Sequence, residues 1–283
     1  MNNKDRIRLR WIRNWTFPGQ ERLSRYFKPS AALHRSFENG IIWLHKEPIA
    51  LYASPDNYIE WTLLSTGSYE PEIEKLIALS LRPGDVALDI GANIGLQSLR
   101  MARYVGEAGT VLSFEPLNHL QEKFRKNMSL NRFHQVKLFT CALSDRSGEE
   151  EFTIDPEEYN QGTFSIGHTS GTGKKKQKVK ILRGDDIPEI TALPKLDLIK
   201  IDVEGYESDV LSGLTETVTK HKPRIIFEYD EQYWRTAGRD IAALHAFLSG
   251  LEYTFYQIES IGLEYLPDFA NFRSGNIFCL PPH

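Results

Sequence analysis

The 283-residue sequence predicts an α/β fold, a mostly parallel sheet with helices on both faces. Three observations carry that expectation. From Val86 onward, strand-like runs alternate with helical periodicity several times over. Those runs are apolar almost throughout, as strands covered on both faces require. And "VALDIGANIGLQSLRMA", Val86 to Ala102, takes a buried strand through a glycine loop directly into a helix.

Residues 1–66 form an irregular N-terminal extension, and 67–283 the main domain. Within the extension, "RIRLRWIRNW" sets Ile7, Trp11 and Trp15 on one helical face among arginines. "NGIIWLHKEPIALYAS" is a short hairpin or a pair of edge strands, cut by Pro48. Glu72 to Leu81 follows as a helix, with Ile73, Leu76, Ile77 and Leu81 at helical spacing. The sheet strands are then "VALDI", "TVLSFEP", "VKLFTCAL", "LDLIKIDVEG", "RIIFEYD", "YTFYQI" and "NIFCL". Helices are expected over about 95–105, 117–130, 206–219 and 239–250; in the last, Ile241, Leu244, Leu248 and Leu251 make the apolar face. Residues 146–190, with "GHTSGTGKKKQKVK", break the alternation as a long loop or hairpin.

Composition narrows the function. A net charge of −4 gives no reason to expect nucleic acid as a partner. The charge is uneven: residues 1–30 hold eight Lys/Arg against Asp5 and Glu21, a net of +6, which leaves −10 on the rest. A basic arm with tryptophans suits an anionic membrane surface, or packs on the domain or on a second subunit. Cys141 and Cys279 sit in apolar runs, so they are expected as reduced core residues of a cytoplasmic protein. They make no zinc site. No run reaches the ~18 apolar residues of a membrane span, and arginines interrupt the place of a signal peptide's apolar region.

The glycine loop points to a ligand beyond the carboxyl ends of the strands. Gly91 permits a sharp turn, Asn93 sits within the loop, and Gly95 permits close approach at the helix start, whose free N–H groups favour negative charge. The spacing is G-x-x-x-G, not the G-x-G-x-x-G of dinucleotide sites. Asp89, two residues before Gly91, would repel a pyrophosphate but suits an amino group or a sulfonium. Glu115, 24 residues after Gly91 at the end of the second strand, is placed to accept both hydrogen bonds of a ribose diol. A cationic end, a free ribose and no pyrophosphate describe S-adenosylmethionine. The plainer alternative has Asp89 capping the loop N–H groups and Glu115 facing solvent.

In "LIKIDVEGYE", Lys200, Asp202 and Glu204 alternate with apolar residues on a strand otherwise buried. Burying them costs several kcal/mol unless they are paired or functional. "RIIFEYD" brings Glu228 and Asp230 to the same edge. Three readings stay open: a carboxylate as general base for a hydroxyl, two carboxylates holding Mg²⁺, or Lys200 neutralising Glu204 in a structural set. The catalytic candidates are Asp202, Glu204 and Glu228, with His168 and His119 behind them. The aromatic run Tyr229 to Trp234 suits either a sugar ring or the core.

Together "DIGANIG", "SFEP", "ALSD" (Ala142 to Asp145), "IKIDVEGYE" and "RIIFE" resemble the FkbM-type S-adenosylmethionine-dependent methyltransferases. "GSYEPEI", with Gly67, Tyr69 and Glu70, is similar to that family's stretch before the first strand. The resemblance covers about 67–230 and thins over 231–283, where "NIFCL" resembles a final antiparallel strand. It implies a Rossmann-like class I methyltransferase fold with a seven-stranded sheet, acting on oxygen. By position, Asp89, Gly91, Asn93 and Gly95 would cradle the methionine part of S-adenosylmethionine, with Glu70 at its end. Glu115 would hold the ribose, Ala142 and its neighbours the adenine, and Asp202 and Glu204 would face the methyl group. The acceptors implied are hydroxyls of sugars, glycolipids, polysaccharides or polyketide products. The first 60 residues and the lysine-rich insertion depart from the family pattern, and acceptor pockets are built from such appendages.

Two other classes compete. An NAD-dependent sugar-modifying enzyme would need the tight glycine motif and no Asp89. A non-catalytic S-adenosylmethionine-binding module would lose the acid set at 202–204, which is intact here.

Overall fold

A computed structural model describes residues 40–44, 47–54, 57–154, 165–166, 175–269 and 272–282. The chain opens with strands β1 (Gly40–Trp43) and β2 (Ala50–Ala53), then helices α1 (Tyr58–Thr66) and α2 (Pro71–Ser80). Next come β3 (Val86–Ile90), α3 (Leu96–Val105), β4 (Thr110–Phe114), α4 (Asn118–Asn131) and β5 (Val136–Phe139). An excursion follows through β6 (Ala142–Ser144), β7 (Gly148–Ile154), β8 (Ser165–Ile166), β9 (Lys175–Arg183) and the short α5 (Pro188–Thr191). The chain returns with β10 (Leu198–Ile201), α6 (Glu207–Gly213), α7 (Thr215–His221) and β11 (Arg224–Asp230). It finishes with α8 (Glu231–Thr236), α9 (Ile241–Gly250), β12 (Thr254–Glu259), β13 (Gly262–Tyr265) and β14 (Ser274–Leu280).

The main sheet runs β13-β12-β14-β11-β10-β3-β4-β5. From β5 to β11 every neighbour is parallel, and β14 is antiparallel between β11 and β12. That is the expected Rossmann-like sheet with one strand more. The eighth, β13, turns back on β12 as a hairpin. Its residues are all exposed, so it lacks the apolar run by which the other strands were read.

Both faces of the sheet are buried. Leu88, Ile90, Leu112, Ile199, Ile201, Ile225 and Phe227 pack on one side. Ala87, Val111, Leu198, Ile226 and Phe278 pack on the other, against α2 and α3. Each such large side chain contributes roughly 1.5–3 kcal/mol.

Two expected elements divide. "VKLFTCAL" is not one strand: the Glu115 N–H donates to the Phe139 carbonyl, and the ladder of β5 stops there. β6 then leaves the main sheet to pair with β9 in a second sheet, ordered β6-β9-β7-β8. The helix expected over 206–219 breaks at Leu214. There Asp185 reaches in from a distant turn and accepts the Glu216 and Thr217 N–H groups (2.8 and 3.0 Å), starting α7 afresh.

The insertion is a hairpin, with β7 and β9 antiparallel from Gly148↔Ile181 to Ile154↔Lys175. Phe152, Val179 and Ile181 face inward, while Lys175, Lys176, Lys178 and Lys180 are exposed. The hairpin β1–β2 is fastened to α4 by two asparagines one turn apart. Asn131 exchanges both hydrogen bonds with the Ala50 backbone (2.9 and 2.7 Å), and Asn127 accepts from the Tyr52 N–H (2.8 Å). These amides satisfy an edge that would otherwise be unpaired. Cys141 and Cys279 are both buried and unbridged, as expected of core residues.

Candidate functional site

The strand order reverses between β3 and β10, and a cavity of about 680 Å³ opens beyond the carboxyl ends of β3, β4, β10 and β11. The start of α1, the segment before α2 and the β7–β9 hairpin wall its other sides.

The loop after β3 is pinned by its neighbours. The Gly91 and Ala92 N–H groups both donate to the Phe114 carbonyl (3.0 Å each). Gly91 has φ +82°, and a Cβ there would lie 1.9 Å from the Asp202 carbonyl oxygen, so only glycine fits. Asn93, at φ 51°, donates its N–H to Glu115 Oε2 (2.8 Å). The other Glu115 oxygen accepts the Leu117 N–H (2.8 Å). Burial pushes the Glu115 carboxyl up to about 7, against the pull of those two N–H donors. Each oxygen keeps a lone pair for a further donor, and Glu115 lines the cavity.

At the end of β10, Lys200 is buried with its Nζ 2.8 Å from Asp202 Oδ2. Burial alone would strip its charge, but Asp202, Asp89 and Glu70 hold its pKa well above the ordinary value. Burial would likewise raise Asp202, but Lys200 outweighs it and keeps that carboxylate below its usual range. Glu228 neighbours Asp202 across the β10–β11 register, and the Asp202 charge, with burial, drives its pKa far up. Glu204 has φ 55° at the turn above the cavity. Glu70, at φ 48°, accepts from Gln97 Nε2 (2.8 Å), and burial pushes it up to about 7 despite Lys200.

Of the expected site residues, Glu70, Gly91, Asn93, Glu115, Ala142, Asp202, Glu204 and Glu228 all line this one cavity. Asp89 and Gly95 do not. Asp89 is wholly buried, takes a hydrogen bond from Ser98 Oγ and faces Lys200 across the β3–β10 register. Gly95 gives room to α4, since a Cβ would lie 2.8 Å from both Phe124 and Met128. Both shape the loop from behind. Nor does Asp89 cap the loop N–H groups; Glu115 does so, and it is buried rather than solvent-facing. Lys200 pairs with Asp202, not Glu204. The aromatic run divides: Tyr229 and Trp234 stack edge-on in the core (5.2 Å), while Tyr233 lines the cavity. His119 lies outside the lining. His168, Lys174 and the basic arm with Trp11 and Trp15 lie outside the described residues.

Two supports escaped the sequence reading. Glu207, the last residue of "IKIDVEGYE", accepts the Val203 and Gly205 N–H groups (2.9 and 3.1 Å) and holds the turn that presents Glu204. Arg100 of α3 makes a buried two-point pair with Glu47 (2.9 and 2.7 Å) and donates to the Tyr69 carbonyl (2.9 Å), fixing the segment that carries Glu70. The one trace of it in the sequence is a cation on an apolar helix face.

Seven carboxylates line the cavity (Glu70, Glu72, Glu115, Asp202, Glu204, Glu228 and Asp230), with no Lys, Arg or His among the described lining residues. Such a wall accepts a cation and rejects a pyrophosphate. Among the described residues, no group of three or more His, Cys, Asp or Glu is placed to hold a metal ion, and no helix is long and apolar enough to cross a membrane.

Similarity to known proteins agrees with this geometry. The chain is 29% identical over 219 residues to the AMB antimetabolite synthetase AmbE of Pseudomonas aeruginosa, covering 62% of this chain and 10% of that one. It is 30% identical to the 2-O-methyltransferase NoeI of Sinorhizobium fredii, over 56% of this chain and 68% of that protein. It is 29% identical to the hexuronic acid methyltransferase AglP of Haloferax volcanii, over 53% and 58%. The chain thus spans a tenth of the synthetase and about three fifths to two thirds of the other two. The methyltransferase FkbM domain matches residues 89–255, from the end of β3 into β12, and so the chain belongs to the FkbM family of S-adenosylmethionine-dependent methyltransferases.

Proposed function

We propose that the protein transfers a methyl group from S-adenosylmethionine to a hydroxyl of a sugar, glycolipid, polysaccharide or related natural product. The observation that carries this reading is the cavity at the switch point, lined by seven carboxylates, Glu115 among them, and by no Lys, Arg or His among the described residues. When bound there, the cofactor supplies an electrophilic methyl on a positively charged sulfur. Glu115 keeps lone pairs for the ribose hydroxyls. Glu70, Asp202 and Glu228 put negative charge toward the cationic end. Tyr58, Tyr69, Tyr206 and Tyr233 line the same cavity and offer flat apolar faces with polar edges, the surface a sugar ring needs. Holding the acceptor oxygen in line is worth up to ~7–11 kcal/mol, and a positioned base adds typically 10²–10⁴-fold.

Two relatives, a 2-O-methyltransferase and a hexuronic acid methyltransferase, support oxygen and sugar as the acceptor class. A non-catalytic binding module has no use for Glu228 and Asp202 at the cavity wall. The test is transfer of labelled methyl from S-adenosylmethionine to a panel of sugars, glycolipids and polyketide alcohols. Asp202→Asn should still bind the donor and lose transfer. Transfer to none of the panel, or undiminished transfer by that variant, would contradict the reading.

A further inference from the structure

Asp202 follows the last residue of β10, and Glu228 follows Phe227, the β11 residue in register with it, so the two carboxyl groups are neighbours at the cavity wall. Two neighbouring carboxyl groups walled off from bulk water resist carrying two charges at once, so one is driven toward its protonated form. Lys200 decides which. Its buried ammonium is 2.8 Å from Asp202, so Asp202 is the ionised partner and Glu228 the neutral one. The remaining groups around Glu228 push the same way. Glu204 and Glu70 face it from the turn above and from the segment before α2, and the Tyr69 hydroxyl belongs to the same cluster. Across the sheet, β14 presents the neutral Asn276 in register. Among the described residues, the cation beside this pair, Lys200, is already engaged by Asp202. Glu228 is therefore neutral because its surroundings are anionic, and a cation entering the cavity reverses that balance.

We infer that Glu228 is the proton reserve of the site: it holds a proton in the free protein, releases it when the cationic sulfonium docks, and takes the acceptor's hydroxyl proton during transfer. This rests on the donor assignment made above. In the transfer, an acceptor-oxygen lone pair forms the O–CH₃ bond. The C–S bond breaks with its electron pair on sulfur, and the O–H proton goes to the ionised Glu228 carboxylate. The thioether product is neutral, so Glu228 stays protonated until the next sulfonium enters. One proton leaves per turnover, as the net reaction requires, but it leaves at binding. Asp202 is then the positioning residue that keeps Glu228 oriented, and the salt bridge to Lys200 leaves it a poor base.

The experiment is titration calorimetry of the full chain at pH 7 with S-adenosylmethionine and, separately, S-adenosylhomocysteine. Each titration is run in phosphate and in Tris, whose different ionisation heats count the protons exchanged. The sulfonium should release about one proton more than the thioether. With both ligands still bound, the larger part of that difference should be lost in Glu228→Gln, and only the smaller share that Glu70 holds near pH 7 should be lost in Glu70→Gln. Equal proton counts for the two ligands in the unaltered protein overturn the inference without touching the donor assignment. So does a difference that survives largely in Glu228→Gln or vanishes only in Glu70→Gln. Binding of neither ligand overturns both readings.

Discussion

Lys200 Nζ and Asp202 Oδ2 stand 2.8 Å apart, one side chain buried in the sheet and the other at the cavity wall. The pair links the sheet interior to the chemistry beyond its edge. Asp89 lies on the same lysine from the adjoining strand and Glu228 on the same aspartate from the other side. Replacing Lys200 by Met leaves these carboxyls without their cation. The expected cost is about 3–5 kcal/mol of unfolding free energy, read from urea denaturation at neutral pH. A loss below about 1 kcal/mol would mean that the pair is not holding the cluster.

Stability should fall as pH rises toward neutrality. Burial pushes Glu70, Glu115 and Glu207 from 4.5 up to about 7. A carboxyl whose folded-state pKa is raised contributes its full stability below its unfolded value, and loses it as pH climbs through the folded one. Each of the three can lose up to roughly 3 kcal/mol across that window. Asp202 acts oppositely, because its depressed pKa removes stability only as pH drops below the ordinary carboxylate range. Thermal melts should therefore give a higher Tm at pH 5 than at pH 8, with a flatter profile for Glu207→Gln. A Tm that rises steadily from pH 5 to 8 would contradict the burial of these groups.

Gly91→Ala should not be tolerated. Its Cβ would meet the Asp202 carbonyl at 1.9 Å and sit at φ +82°. Overpacking and backbone strain together cost at least about 2 kcal/mol. The loop or β10 must shift, and donor binding should be lost even where the protein still folds. Calorimetry on the soluble variant checks this, and near-normal affinity would show that the loop has slack.

Arg100→Met should cost about 3–5 kcal/mol, since it strands Glu47 in the interior. The double variant Arg100→Met with Glu47→Gln should recover part of that loss. Both should weaken donor binding, because Arg100 anchors the Tyr69 carbonyl beside Glu70. Denaturation curves for the two single variants and the double form the cycle, and strict additivity would count against the pair.

The parts of the site legible in the sequence were those set by chain position. A residue just past the paired part of a parallel strand faces the crevice, and that alone puts Glu115, Asp202 and Glu228 at the cavity wall. Asp89 does not reach the crevice because it is still paired with Lys200 inside the β3–β10 ladder and turns to Ser98, whereas Glu228 lies just past the last β10–β11 pair. Partners across the sheet were less visible. The sequence put Lys200 and Glu204 on one strand face, but the strand ends at Ile201, and the turn held by Glu207 carries Glu204 away. Arg100 and Glu47 are 53 residues apart, and no local period links them. The eighth strand and the break at Leu214 rest on an exposed hairpin and on a cap from Asp185, neither of which leaves an apolar signature.

The most direct test of the account is calorimetric binding of S-adenosylmethionine, S-adenosylhomocysteine and NAD to the unaltered chain and to Glu115→Ala. The first two should bind and NAD should not, and affinity should fall ~10-fold or more in the variant, the worth of a hydrogen bond to a charged group. Preference for NAD, or unchanged affinity in Glu115→Ala, would contradict it.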